Sequence, residues 1–138
     1  MILIFIFIFI FILSFLFHEL MHGLEGYRQG GKEANIQVSF FPPTMYTTVR
    51  SSIKNYEFFK LAGGFYTGIV FLIISILTTD INFHFSLITM SAMNFYYSLF
   101  EMKYLGNIDY RLYRIGRYSI YGSVIFAMVI LYKYLGLI

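Results

Sequence analysis

The stretch MILIFIFIFIFILSFLFHELMHGL, residues 1–24, decides how the chain is read. Its first 17 residues carry no charge, and Ser14 is their only clearly polar side chain. A helix needs about 20 predominantly apolar residues to cross a bilayer core. The run reaches that length if it continues through His18 to Leu24. Alternation of Ile and Phe is a strand pattern in water. In lipid a lone strand would leave its backbone groups unpaired, so a helix is expected. A signal peptide is the competing reading. It needs a basic start and a small-residue cleavage site, and this segment has no Lys or Arg and no A-x-A-like pattern after it.

Three further apolar stretches follow. Residues 61–79 are uncharged, and residues 81–100 are uncharged if His84 is neutral. Residues 119–138 carry only Lys133, close enough to the end to snorkel to the interface. Composition agrees: of 138 residues, 59% are hydrophobic, 22% aromatic and 12% charged. A soluble domain carries about 25% charged residues, and a disordered chain needs low hydrophobicity. Both classes are therefore excluded. With no cysteine there is no disulfide framework and no thiolate metal site.

The connection between the first two apolar runs has a partial pattern of its own. Residues 35–40, Asn35-Ile36-Gln37-Val38-Ser39-Phe40, alternate polar and apolar, the period of a half-buried strand. Pro42-Pro43 ends it, and residues 45–49 can return as a second strand. The expected fold is an all-α membrane protein in one domain. Its four transmembrane helices span about 1–24, 61–79, 81–101 and 119–138, with a small β-hairpin between helices 1 and 2.

Charge sets the expected orientation. Arg28, Lys32, Arg50, Lys54 and Lys60 fall between spans one and two. Lys103, Arg111, Arg114 and Arg117 fall between spans three and four, and the middle connection holds Asp80 with no Lys or Arg. The positive-inside rule makes the first and third connections cytoplasmic and puts both termini outside. This accounts for the net charge of +3 without nucleic acid. Tyr96, Tyr97, Tyr104, Tyr110, Tyr113 and Tyr118 gather at the inner interface, where amphipathic rings settle.

His18-Glu19-Leu20-Met21-His22 is H-E-x-x-H at the end of the first span. Residues four apart lie on one helical face, so His18 and His22 can present two imidazoles to one Zn²⁺. Glu19 is placed to take a proton from the water that the metal activates. Ionisable groups at the edge of a span are costly in lipid and mark function. The bland alternative is two interfacial histidines with no metal.

A third ligand must come from elsewhere in the chain. The motif sits about 25 Å along its helix, near the inner face. Span three ends there at Glu101, and Ser91, Asn94 and Ser98 share its helical stripe. Glu101 is the expected third ligand. Asn94 is expected to line the site, as a donor to the oxyanion or as an interhelical hydrogen bond. Asp109, after the turn at Gly106-Asn107, is the alternative ligand. Glu25 lies about 10 Å along the axis from His18 and is expected to be a solvated charge. His84 belongs to the outer end of span three and is expected at the interface. Gly64 and Gly68 form G-x-x-x-G, a close-packing signal in lipid, expected to seat span two beside the motif helix.

On these residues the chain resembles the site-2 protease family of intramembrane zinc metalloproteases. The likeness rests on His18-Glu19-Leu20-Met21-His22, on Leu61-Ala62-Gly63-Gly64 opening the next helix, and on Asn94 followed by an acid. It implies a minimal catalytic core, with a membrane-surface strand that holds substrate extended. The family's third ligand is an Asp in a Leu-Asp-Gly context. This sequence has none, so the resemblance implies Glu101 in its place or a displaced Asp109. The expected function is hydrolysis of peptide bonds in membrane proteins or peptides, with the lipid bilayer as surroundings. A non-catalytic integral membrane subunit is the alternative, and a divalent-metal carrier ranks below both.

Overall fold

The computed structural model describes residues 2–40, 43–50 and 53–136. Four helices, α1 (Ile2–Arg28), α2 (Tyr56–Leu77), α3 (Ile81–Tyr104) and α4 (Tyr110–Tyr134), carry most of the chain. Two strands, β1 (Glu33–Phe40) and β2 (Pro43–Arg50), pair antiparallel between α1 and α2. The register sets Ile36 against Thr47 and Val38 against Met45. This is the expected hairpin. Pro43 begins β2, while Pro42 lies outside the described residues.

Three helices, α1, α2 and α4, are long and apolar enough to cross a membrane. By length α3 is comparable, but Ser86, Ser91, Asn94 and Ser98 dilute its hydropathy. Those four side chains are buried. Around the motif the chain is apolar outside and polar within. On α1 the exposed residues Phe5, Phe9, Ile12, Leu16, Leu20 and Leu24 make an apolar outer face, while Ser14, His18 and His22 are buried. In water that arrangement would lose the hydrophobic stabilisation that burial of the apolar stripe provides. It suits a membrane protein, in which buried polar groups such as Ser14, Asn94 and His18 hydrogen-bond to one another.

Every helix runs past its expected limits at the end nearer the motif, and at α2 and α4 a polar cap extends it. The Asn55 side chain accepts from Phe58 N at 2.9 Å, starting α2 at Tyr56 instead of residue 61. Lys60, expected in the connection, is therefore inside α2. It is buried, with Nζ 2.9 Å from Glu57 and 3.3 Å from the Leu105 carbonyl. Asp109 caps α4, accepting from Arg111 N at 2.8 Å, so α4 starts at Tyr110 instead of 119 and carries Arg111, Arg114 and Arg117. Hydropathy falls where the arginines begin, but helical hydrogen bonding does not.

Packing is tightest between α2 and α3. A Cβ on Gly64 would overlap the Asn94 carbonyl oxygen and come within 2.7 Å of Ser98 Cβ. One on Gly68 would meet the Phe95 ring at 2.9 Å. The G-x-x-x-G pair therefore seats α3, not the motif helix as expected. An apolar core of Phe7, Ile10, Phe71, Met90, Met128 and their neighbours lies mostly away from the motif.

Candidate metal centre

His18 and His22 sit one turn apart on the inward face of α1, and both are buried. Glu101 reaches them from the C-terminal end of α3 and is buried as well. His18 Nε2 lies 2.8 Å from Glu101 Oε2, His22 Nε2 lies 3.3 Å from the same oxygen, and the two Nε2 atoms are 3.1 Å apart. This is the one group of three His, Asp or Glu ligand atoms found together among the described residues.

The partners of the other ring nitrogens decide what these atoms can bind. His22 Nδ1 donates to the Phe59 carbonyl at 2.8 Å. A carbonyl can only accept, so the Nδ1 carries the proton and a neutral ring keeps a lone pair on Nε2. His18 Nδ1 likewise donates to Asn94 Oδ1, at 3.4 Å. Two imidazole lone pairs and one carboxylate oxygen thus converge on one point. Donors about 2.0–2.1 Å from a tetrahedral zinc lie about 3.3 Å from one another. The three separations are within about half an ångström of that edge, and the donor set is of the His₂-carboxylate kind. The residues present fit a zinc ion.

The neighbours explain why the rings stand there. A Cβ on Gly63 would overlap the His22 ring, so the ring lies flat against a bare stretch of α2 backbone. The same bareness uncovers the Phe59 carbonyl, one turn earlier, for His22 Nδ1. At the end of α1, Gln29 exchanges hydrogen bonds with the Asn55 backbone, donating at 3.2 Å and accepting at 2.7 Å. That clasp fixes the level of α2 against α1. Glu25 belongs to it. Arg28 grips its two oxygens at 2.7 Å each, and Gln29 donates to it at 2.7 Å. It is buried, not the solvated charge expected, because α1 continues far enough to bring Arg28 round to it.

Glu19 is buried beside the histidines. The Thr47 hydroxyl of β2 lies 2.8 Å from its Oε2 and 2.7 Å from its main-chain oxygen. Residues 45, 47 and 49 of β2 are half-buried and 46, 48 and 50 exposed, so the strand turns Thr47 toward α1. Close docking needs Gly26, whose Cβ would stand 2.6 Å from a Val49 methyl. Glu19, His22, Thr47, Glu101, Tyr113 and Arg117 are among the residues around a cavity of about 310 Å³.

The other expected residues separate. Asp109 is committed to its cap and is not in the cluster. His84, near the N-terminus of α3, bonds the Ser75 carbonyl at 2.8 Å, far from the cluster. Asn94 donates to Ser14 Oγ at 2.6 Å and to the Met90 carbonyl at 2.8 Å. With both amide hydrogens used, it has none for an oxyanion, and its oxygen braces His18 instead. The interhelical alternative for Asn94 is the one observed. Sequence reasoning missed Thr47, Phe59 and Tyr113. The need of each ligating imidazole for a partner on its second nitrogen was the available signal, but it names no residue.

The fold and the cluster together define a membrane-associated metallopeptidase-like site. Residues 3–109 match the family described as "Putative zincin peptidase", and the chain belongs to that family. Neither a curated protein nor a solved structure matches it.

Proposed function

We propose that the chain is an intramembrane zinc endopeptidase of the site-2 protease type, cutting peptide bonds in membrane-embedded segments. The observation that carries this reading is the convergence of His18, His22 and Glu101, with Glu19 beside them on the same cavity. His18, His22 and Glu101 would hold Zn²⁺, with Glu101 in place of the family's Asp. When bound, zinc supplies a Lewis acid that makes water nucleophilic near neutral pH. Glu19 takes a proton from the attacking water on Oε1 and hands it to the leaving amine nitrogen. Thr47 holds Oε2, which fixes the carboxylate for that transfer. Asn94 keeps His18 in the tautomer that ligation needs.

A second, apolar groove of about 490 Å³ runs between α1, α4 and the hairpin. Phe11, Phe15, Val38, Met45 and Tyr121 line it, and Arg117 borders both spaces. This supports an apolar, membrane-embedded peptide as substrate. Its helix would unwind beside the hairpin, because a helix keeps its carbonyls in its own hydrogen bonds. All four helices cross the bilayer as one domain, with the polar stripe of α3 turned toward its neighbours. The first and third connections face the cytoplasm and both termini face out in this reading, which Arg28, Lys32, Arg50 and Lys54 around the first connection and Lys103, Arg111 and Arg114 flanking the third support.

The test is Glu19→Gln in reconstituted protein with a labelled transmembrane substrate. Cleavage should fall by about 10²–10⁴-fold while one zinc per chain is retained. Unchanged cleavage overturns the mechanism. Purified wild-type protein without stoichiometric zinc overturns the site and leaves a non-catalytic membrane subunit.

A further inference from the structure

We propose that Tyr113 is a positioning residue for Glu101, so that α4 completes the metal centre although it supplies no ligand. This rests on the metal site proposed above. The Tyr113 hydroxyl donates to Glu101 Oε1 at 2.9 Å, while Oε2 is the oxygen facing both imidazoles. The carboxylate is thus divided: one oxygen is held by α4 and the other is left for the metal. A carboxylate with a free second oxygen can rotate away or chelate with both. A hydrogen bond on that oxygen blocks both motions, and such outer partners govern metal affinity.

The direction of the network follows from proton counting. An ionised carboxylate only accepts, so the single Tyr113 proton goes to Oε1. The Tyr97 hydroxyl, 2.8 Å from that of Tyr113, must then donate to it. Tyr97 lies one turn before Glu101 on α3, and its ring packs on His18 with centroids 5.2 Å apart. Arg117, one turn after Tyr113 on α4, lies over the Tyr97 ring at 5.9 Å. The relay therefore runs from Tyr97 through Tyr113 to Glu101 and ties α4 to the ligand set. The family match ends at residue 109, one residue before α4 begins, so this contribution lies outside the matched segment.

Tyr113→Phe removes the donor and keeps the ring, which stacks on Phe100 at 5.5 Å. The measurement is Zn²⁺ affinity of the full chain in detergent, by competition with a chromophoric chelator. The visible spectrum of the Co²⁺-loaded protein is recorded beside it. Tyr113→Phe should weaken Zn²⁺ binding by about 10–100-fold and shift the Co²⁺ bands. Thermal stability of the metal-free protein should change far less. Tyr97→Phe should weaken binding by a smaller factor, since the bond to Glu101 survives it. Wild-type affinity and spectrum in Tyr113→Phe overturn the proposal. So does a loss of metal-free stability as large as the loss in affinity, which marks a merely structural role. Wild-type protein that binds no Zn²⁺ takes down the metal site itself and this inference with it.

Discussion

Gly63→Ala is the smallest change that separates a built metal centre from two histidines that happen to share a helix face. The added methyl carbon would stand 2.5 Å from His22 Cδ2 and 2.7 Å from Cε1. Carbon atoms rest comfortably at about 3.5–4.0 Å, so the ring has to retreat by about 1 Å. Helix α2 cannot easily retreat instead, because α3 stands so close that a Cβ on the next residue, Gly64, would already overlap the Asn94 carbonyl oxygen. Metal–ligand distances tolerate only about 0.2 Å. A 1 Å shift therefore costs the His22 bond and strains its hydrogen bond to Phe59. Loss of an outer partner alone weakens metal binding about 10–100-fold, so loss of a ligand should exceed 100-fold. The overpacking itself costs about 1–3 kcal/mol, which thermal unfolding of the metal-free protein measures separately. Gly122→Ala is the control, since nothing stands within 4 Å of its Cβ. Chelator competition on the purified protein is the assay. Wild-type zinc affinity in Gly63→Ala would refute the placement of His22 against α2.

Other outcomes follow from the same geometry. Glu101→Ala should abolish stoichiometric zinc in metal analysis. Asp109→Ala should leave zinc bound and lower stability by about 1 kcal/mol, the usual loss for a helix cap. Thr47→Val takes away the hydroxyl on Glu19 Oε2. A hydrogen bond to a charged group is worth about 1.5–3 kcal/mol, so turnover should fall about ten- to a hundredfold with zinc affinity unchanged. Asn94→Ala removes the His18 brace and should weaken zinc about 10–100-fold. The same competition assay measures it.

Much of this protein was legible from residue order. Long uncharged runs fix helices because lipid gives a backbone no other way to pair its polar groups. H-E-x-x-H fixes the relation of His18, Glu19 and His22, because residues four apart on a helix share a face. Glu101 could be reached by depth and helical period together. The alternation of β1 gave away the hairpin.

Tertiary structure decided the rest. The exchange of Asn94 from oxyanion donor to brace depends on where Ser14 and the Met90 carbonyl stand, which no spacing encodes. Glu25 became a buried clasp because Arg28, Gln29 and Asn55 meet around it. Thr47 and Tyr113 are ordinary polar residues in sequence. They matter because a strand and a fourth helix carry their hydroxyls to Glu19 and Glu101. Local order sets which groups lie on one face of one element, since backbone geometry repeats with a fixed period. Which groups meet across elements depends on how far apart those elements pack, and here bare glycine backbone at Gly26, Gly63 and Gly64 sets that distance.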